Sequence, residues 1–250
     1  MSRLPRFSGY HQGLFGAAIG LALAGLVTHG YSLHAVIVGT DGLRLALTSA
    51  VSLIGWQLAV IGLLGAIEPT LRGMTAGLLI LAAIAAASIS LQAGPTAGAA
   101  FTWQIQTHIL ISMFAYGLLT AGAIVAVYAL IQDRRLRAHK LSAMNLLFAP
   151  LETTEKLLFV ITAAGFAGLL LAVVSGFTFV ENLFAQHLIH KTTLSLLALV
   201  LFGVLLGGRV FAGWRGRRAI YLYLWGFAIL GLAYFGSRFV LEELLDRSWS

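Results

Sequence analysis

Histidines are the residues of this 250-residue chain with the clearest capacity for chemistry, because the chain contains seven of them and no cysteine. When the apolar segments are arranged as a bundle of membrane helices, five histidines fall near one face of the membrane: His29, His34, His108, His187 and His190. Neutral imidazole is a good ligand for iron, and two imidazoles can hold a haem between them. The clustering therefore indicates iron binding close to one membrane surface.

Three of these histidines are the best candidates for axial ligands of the haem iron. His108 and His190 each begin an apolar segment at this face, and His29 lies late in the first segment. We predict that His108 is one axial ligand of a haem b, with His190 or His29 opposite. The alternative is that a histidine at the end of a span simply lies in the polar interface, and this alternative is stronger for His34 and His187.

Other residues at the same depth could complete the site. Haem propionates need positive charge, and the macrocycle needs apolar and aromatic contacts. The candidates for the propionates are Lys191, Arg238 and Arg44, and those for the macrocycle are Trp103, Tyr116 and Phe184. His187 and His190 could also bind Zn²⁺ or Cu²⁺ from one face of a helix, but only Glu181 is at hand as a further ligand.

The composition predicts the framework that must position these residues. The chain is 59% hydrophobic and 10% charged, with a mean hydropathy of +0.92, whereas a soluble domain carries about 25% charged residues. Apolar runs long enough to cross a bilayer lie at roughly 13–37, 44–66, 73–92, 104–131, 157–180, 189–212 and 217–240. We therefore predict an all-α fold, a polytopic membrane bundle of about seven transmembrane helices, as one integral-membrane domain over residues 1–250. Dense Gly and Ala in the first three spans favour close helix packing there.

The distribution of basic residues predicts the orientation. With seven spans, twelve of the sixteen Lys and Arg residues collect on the side of the N-terminus and of the loops near 67–72, 132–156 and 209–218. The positive-inside rule therefore predicts a bacterial inner-membrane protein with a cytoplasmic N-terminus and an outer, periplasmic C-terminus. This topology places the five clustered histidines on the outer side.

The number and placement of charged and reactive residues disfavour several functional classes. The net charge of +7 arises from short loops between spans, so we expect no nucleic-acid partner. The spans contain almost no acidic residues or lysine, which weakens the interpretation as an ion-coupled transporter. No nucleophile or acid–base pair is evident, and we therefore expect the protein not to be an enzyme.

Motifs in the second half, about residues 100–240, resemble the cytochrome c assembly protein family, the haem-handling membrane proteins of the CcsA and CcmC type. The matching segments are HILISMFAY (108–116), Gly165-Phe166, Ser175-Gly176, HKTTLSL (190–196), GWRGRR (213–218), and GF with AYFGSR (226–238). The resemblance is to the shorter, YpjD-like branch in particular. It implies a protein that takes haem from the bilayer or cytoplasm and presents it at the outer face during cytochrome c biogenesis, with other biogenesis proteins as partners.

One departure from the family pattern favours a rival function. Members that handle haem carry a tryptophan-rich outer segment, which would fall on Ile189-His190-Lys191-Thr192-Thr193; only Lys191 matches that motif. The rival is a regulatory or scaffolding membrane subunit without haem turnover, linked to tetrapyrrole synthesis or to an ion transporter. GWRGRR is most simply a cytoplasmic anchor whose glycines allow a turn, although it could also bind a cytoplasmic partner or anionic lipid.

Overall fold

A computed structural model describes residues 8–39, 42–43, 46–91, 101–138, 150–179 and 189–236. Within these ranges the chain forms seven α-helices and one hairpin of two short strands, each two residues long. It divides into two compact units, Met1–Ala100 and Phe101–Ser250. The all-α prediction is confirmed, and the expectation of one integral-membrane domain remains a prediction.

The first unit contains three helices and a small hairpin. Its elements are α1 (Ser8–Ile37), β1 (Val38–Gly39), β2 (Gly42–Leu43), α2 (Leu47–Gly65), a 3-10 turn (Pro69–Leu71), α3 (Arg72–Ala87) and a second 3-10 turn (Ser88–Leu91). The strands pair antiparallel, with Val38 opposite Leu43 and Gly39 opposite Gly42. The helices α2 and α3 pack closely, since a Cβ on Gly55 would lie 2.5 Å from the Cβ of Ala85. Close packing of alanine against glycine is thus present between α2 and α3. At Gly16, Gly20 and Gly25 of α1, by contrast, an added Cβ would meet nothing within 4 Å among the described residues.

The second unit is a bundle of four helices. They are α4 (Trp103–Arg137), α5 (Leu151–Phe179), α6 (Ile189–Ala212) and α7 (Gly216–Gly231), and α7 continues as a π-helical turn over Leu232–Gly236. Large side chains that are almost fully buried form its core: Tyr223, Phe202, Leu119, Leu158, Leu205, Ile220 and Leu230. The helix α4 packs against both α5 and α7, and α6 packs against α5 and α7.

Six of the described helices are long and apolar enough to cross a membrane: Gly13–Ile37, Leu47–Gly65, Pro69–Ser90, Trp103–Arg137, Leu151–Phe179 and Ile189–Ala212. They coincide with the first six predicted spans. The seventh predicted span corresponds to α7, which is 16 residues long before its π-helical turn. Its predicted end near 240 lies outside the described residues.

Two helices extend beyond their apolar segments because charged residues support the extra turns. The helix α4 continues to Arg137, where the guanidinium contacts the Asp133 carboxylate at 3.0 Å across one turn. Arg134, Arg135 and Arg137 also lie in its last turn, where cations interact favourably with the helix dipole. The helix α5 begins at Leu151 rather than near 157, and Lys156 pairs with Glu152 at 3.0 Å in its first turns.

A close approach between α4 and α7 depends on Gly122. The buried Tyr223 donates a hydrogen bond from its hydroxyl to the carbonyl of Leu119 at 2.7 Å, and this places the phenol against the backbone of α4. A methyl group on Gly122 would collide with the Tyr223 hydroxyl and lie 2.7 Å from Cζ of the same ring. The absence of a side chain at residue 122 therefore allows the two helices to meet.

Gly122→Ala is expected to lower the free energy of unfolding by about 2 kcal/mol, because overpacking of a rigid core forces helices or rotamers to shift. Thermal unfolding of the detergent-purified protein measures the change. Gly77→Ala is the matched control, because an added Cβ there meets nothing within 4 Å among the described residues. Tyr223→Phe, introduced into the Gly122→Ala variant, should recover part of the loss. Equal melting temperatures for Gly122→Ala and the wild type would contradict the close approach.

Candidate functional site

His108 lies in the second turn of α4 and is held by Ser175 near the end of α5. The imidazole Nδ1 is 2.9 Å from the Ser175 hydroxyl oxygen, and this hydroxyl is also 3.0 Å from the carbonyl oxygen of Ala172. A hydroxyl has a single hydrogen, and the Ala172 carbonyl can only accept it. We assign that hydrogen to Ala172, so that Ser175 accepts a hydrogen bond from Nδ1–H of His108. This tautomer leaves the lone pair on Nε2, which is the form that can bind a metal.

Gly176 allows the His108 ring to lie directly against α5. A Cβ at this residue would be 3.2 Å from Cε1 of His108 and 3.7 Å from Nδ1. Ser175 and Gly176 therefore orient the ring together. Ser175 forms the hydrogen bond, and Gly176 has no side chain that would obstruct the ring. His108 itself is only partly buried. Such outer contacts fix the orientation and tautomer of metal-binding histidines.

A cation and two tyrosines lie at the same end of the second unit. The ammonium of Lys191, in the first turn of α6, is 5.3 Å from the centroid of the Tyr234 ring, within the range of a cation–π contact. The ring of Tyr234 is in turn 5.5 Å from that of Tyr116. Lys191 and Tyr116 thus both contact Tyr234, at the end of the second unit that also contains the contact between His108 and Ser175.

Tyr116 is a buried member of this group, and its hydroxyl has a definite partner. It donates a hydrogen bond to the carbonyl of Leu230 at 3.1 Å, so it ties α4 to the end of α7. The π-helical turn begins two residues later and presents Tyr234 to both Tyr116 and Lys191. π-Helical turns recur at functional sites because the extra residue re-aims side chains. Sequence reasoning missed Tyr234, although AYFGSR was one of the segments that carried the family resemblance.

Trp103 and His190 lie at this end but are exposed. The Trp103 ring is 6.2 Å from that of Phe179, and the residue is 68% exposed. His190 is exposed in the first turn of α6, where it precedes Lys191 by one residue. Consecutive residues of an α-helix are about 100° apart around its axis, so His190 and Lys191 occupy different faces of α6. Among the described residues, no three His, Cys, Asp or Glu side chains form a metal-binding group.

His29 belongs to the first unit, where it joins two helices. Its Nε2 is 2.8 Å from the hydroxyl oxygen of Ser52, so the ring of α1 is hydrogen-bonded to a fully buried residue of α2. The neighbouring indole Nε1 of Trp56 donates to the carbonyl of Leu26 at 3.0 Å. These contacts give His29 a structural role in holding α1 to α2. His34, in the last turn of α1, is exposed.

Five of the residues proposed from the sequence lie outside the described residues: Arg238, Arg44, Glu181, His187 and Phe184. Their assignment as propionate, macrocycle or metal contacts stays a prediction. Of the seven main candidates, the structure describes His108, His190, His29, Lys191, Trp103 and Tyr116.

The opposite end of the second unit contains a second polar cluster, which sequence reasoning missed. The buried carboxylate of Glu155 accepts a hydrogen bond from the backbone N–H of Gly216 at 2.9 Å and lies 3.5 Å from Nε of Arg215. It therefore caps the start of α7 from the neighbouring helix α5. Gly213 and Gly216 have φ values of +63° and +62°, so both glycines of the GWRGRR segment serve the turn between α6 and α7. This agrees with the turn expected from the sequence.

The comparisons with known proteins cover both units of the chain. The family model described as "Cytochrome C assembly protein" matches residues 21–245, which includes the first unit as well as the second. Inner membrane protein YpjD of Escherichia coli K12 is 38% identical over 139 residues, which are 56% of this chain and 52% of YpjD. An uncharacterized 28.8 kDa protein of Azospirillum brasilense is 32% identical over 150 residues, 59% of this chain and 55% of the relative.

A more distant similarity reaches a protein named for cytochrome c biogenesis. Cytochrome c biogenesis protein CcsA of Guillardia theta is 23% identical over 162 residues, which are 58% of this chain and 54% of CcsA. The chain thus matches about half the length of each of these relatives. No solved structure is significantly similar to it. Because the family model covers nearly the whole chain, the protein belongs to the cytochrome c assembly protein family.

Proposed function

We propose that this protein binds haem at the His108 end of its second unit and delivers it during cytochrome c biogenesis. The observation that carries the proposal is the hydrogen bond between His108 Nδ1 and Ser175, whose own hydroxyl lies 3.0 Å from the Ala172 carbonyl. The tautomer that we assign from these contacts leaves the Nε2 lone pair for iron. Membership of the cytochrome c assembly family supports haem as the ligand. The name of the relative CcsA supports a role in cytochrome c biogenesis.

The residues around His108 fit a haem in three respects. The imidazole supplies one axial ligand, the ammonium of Lys191 supplies charge for a propionate, and exposed Trp103 supplies an aromatic surface. Within this unit His190 is the candidate for the second axial ligand, and Arg238 is a further candidate for a propionate. His29 stays a candidate ligand from the sequence alone. The haem is cargo, and the protein makes and breaks no covalent bond in this proposal. Its residues hold the haem, fix its orientation and release it to a partner.

The setting we propose is a bacterial inner membrane, as in the name of the relative YpjD. The N-terminus would be cytoplasmic, because the predicted order of spans and loops puts most Lys and Arg residues on that side. His108 and Lys191 would then lie near the outer surface. Haem could be passed there to other cytochrome c biogenesis proteins, while the basic loops face the cytoplasm.

The second candidate function is a regulatory or scaffolding membrane subunit without haem turnover. It is favoured by the segment at the start of α6, where Ile189-His190-Lys191-Thr192-Thr193 stands in place of the tryptophan-rich motif. In that case His108 would hold α4 to α5 through Ser175, as His29 holds α1 to α2 through Ser52.

Absorption spectra of the wild-type protein distinguish the two functions. Protein purified in detergent from cells supplied with haem is expected to show a Soret band, and its pyridine haemochrome is expected to identify haem b. Dithionite reduction should shift the spectrum of a histidine-bound iron. A colourless preparation that remains folded, as judged by its helical circular dichroism, would reject haem binding and favour the scaffolding function.

A further inference from the structure

The basic end of the second unit contains two arginines that converge on one tyrosine. The guanidinium of Arg217, in the first turn of α7, donates a hydrogen bond to the Tyr221 hydroxyl at 3.2 Å. Arg134, near the end of α4, is the other guanidinium that acts on the Tyr221 hydroxyl, and α4 packs against α7. Two guanidinium groups that act on one hydroxyl are typical of sites for phosphate, which accepts several hydrogen bonds from such side chains. We call Arg134, Arg217 and Tyr221 the arginine pair site.

The acidic residues nearby leave this site with excess positive charge. The nearest carboxylate is Asp133, which contacts Arg137 at 3.0 Å and Arg217 at 3.9 Å. One carboxylate thus pairs with two guanidinium groups, and Arg134 adds a further positive charge to this end. The other buried carboxylate of this end, Glu155, is occupied by Arg215 and the Gly216 N–H. The charge balance therefore favours a bound anion.

The surface next to the arginine pair site is polar at one end and apolar at the other, as a phospholipid molecule is. Arg217, Tyr221, Trp225, Ala228 and Leu232 are all exposed, and their spacing puts them on one face of α7. This face changes from a guanidinium through a phenol and an indole to aliphatic side chains. On α4, which packs against α7, the exposed Ile131 and Val127 lead to Arg134 in the same way. Tyr and Trp at this depth are typical of the boundary between headgroups and acyl chains.

We propose that the arginine pair site binds the phosphate of an anionic phospholipid, with the acyl chains along the exposed apolar faces of α4 and α7. The apolar approach argues for a lipid rather than for a soluble phosphate compound, since the latter would gain nothing from Trp225 and Leu232. The site is at the opposite end of α4 from His108, and the proposal does not depend on haem binding. Lipid bound there would hold the α4 and α7 ends together at the headgroup level.

Thermal unfolding of the delipidated, detergent-purified protein with added phospholipid tests the site. Phosphatidylglycerol is expected to raise the melting temperature in a saturable way, and zwitterionic phosphatidylcholine at equal concentration is expected to do so much less. Arg134→Gln and Arg217→Gln should each weaken the apparent affinity for phosphatidylglycerol about tenfold, because each removes a charge-assisted hydrogen bond. Tyr221→Phe preserves the ring and should weaken it less.

Lys156→Gln is the matched control, because it removes one positive charge from the same end of the unit but from a side chain that pairs with Glu152. It should bind phosphatidylglycerol as the wild type does. Equal weakening by Lys156→Gln and Arg134→Gln would overturn the site in favour of unspecific attraction by net charge. An equal shift with inorganic phosphate would overturn the lipid, and no shift with phosphatidylglycerol would overturn the proposal altogether. A low melting temperature of one variant in the absence of lipid does not prevent the test, since the shift is measured against each variant's own baseline.

Discussion

His108→Ala is expected to yield a folded protein without a Soret band, whereas the wild type purified in parallel is red. The reason is that the alanine removes the Nε2 lone pair that the contact between Nδ1 and Ser175 leaves for the iron. Haem content per protein, measured as the pyridine haemochrome, gives the result. His34→Ala is the control, because His34 is an exposed histidine at the end of α1 in the other unit. It should retain the full haem content.

Ser175→Ala separates ligation by His108 from a merely structural role. This substitution keeps the imidazole but removes the hydroxyl that fixes its tautomer and orientation. The loss of such an outer partner typically weakens metal affinity about 10- to 100-fold, so the variant should lose haem on dilution. If His108→Ala retained the wild-type spectrum, the ligand would have to be sought at His190 or His29. If Ser175→Ala and wild type kept haem equally well on dilution, the hydrogen bond would not orient the ligand.

The sequence was sufficient to predict the helices, because each follows from a long apolar run. It was also sufficient to single out His108 as a residue at the start of a span. The ring's partner could not be derived in this way, since Ser175 is 67 residues further along the chain and serines are common in these helices. The Ser175-Gly176 pair was visible only as part of a family resemblance. The structure explains the pair physically: Ser175 forms the hydrogen bond to His108, and Gly176 leaves room for the imidazole ring.

The charged end of the second unit was harder to predict. Asp133 and Glu155 lie where helices leave the apolar segments, and acidic residues there are usually solvated. Only the fold shows that both are buried against the arginines of other segments. Likewise, the contact between Tyr234 and Lys191 depends on a π-helical turn, for which the sequence carries no periodic signal. Local patterns thus predict elements well, while contacts between polar residues on different helices require the structure.

Glu155→Ala is expected to lower the free energy of unfolding by about 2 kcal/mol, because it leaves the N–H of Gly216 without its acceptor. Arg215 adds little to this loss, because it is 54% exposed and can turn to water. The N–H of Gly216 cannot compensate in this way, because the tight turn between α6 and α7 fixes its direction. Thermal unfolding of the purified protein, followed by circular dichroism, measures the effect.

Glu155→Gln and Glu152→Ala identify the cause of that loss. The glutamine retains an oxygen that can accept from Gly216 but carries no charge, so roughly half of the destabilisation should remain. Glu152 precedes Glu155 by three residues and pairs with Lys156 at the surface, where both side chains are more than half exposed. Its replacement by alanine should leave the melting temperature unchanged. Equal effects of Glu152→Ala and Glu155→Ala would show that the α6–α7 turn is not held by a buried carboxylate and that only the overall charge of this end matters.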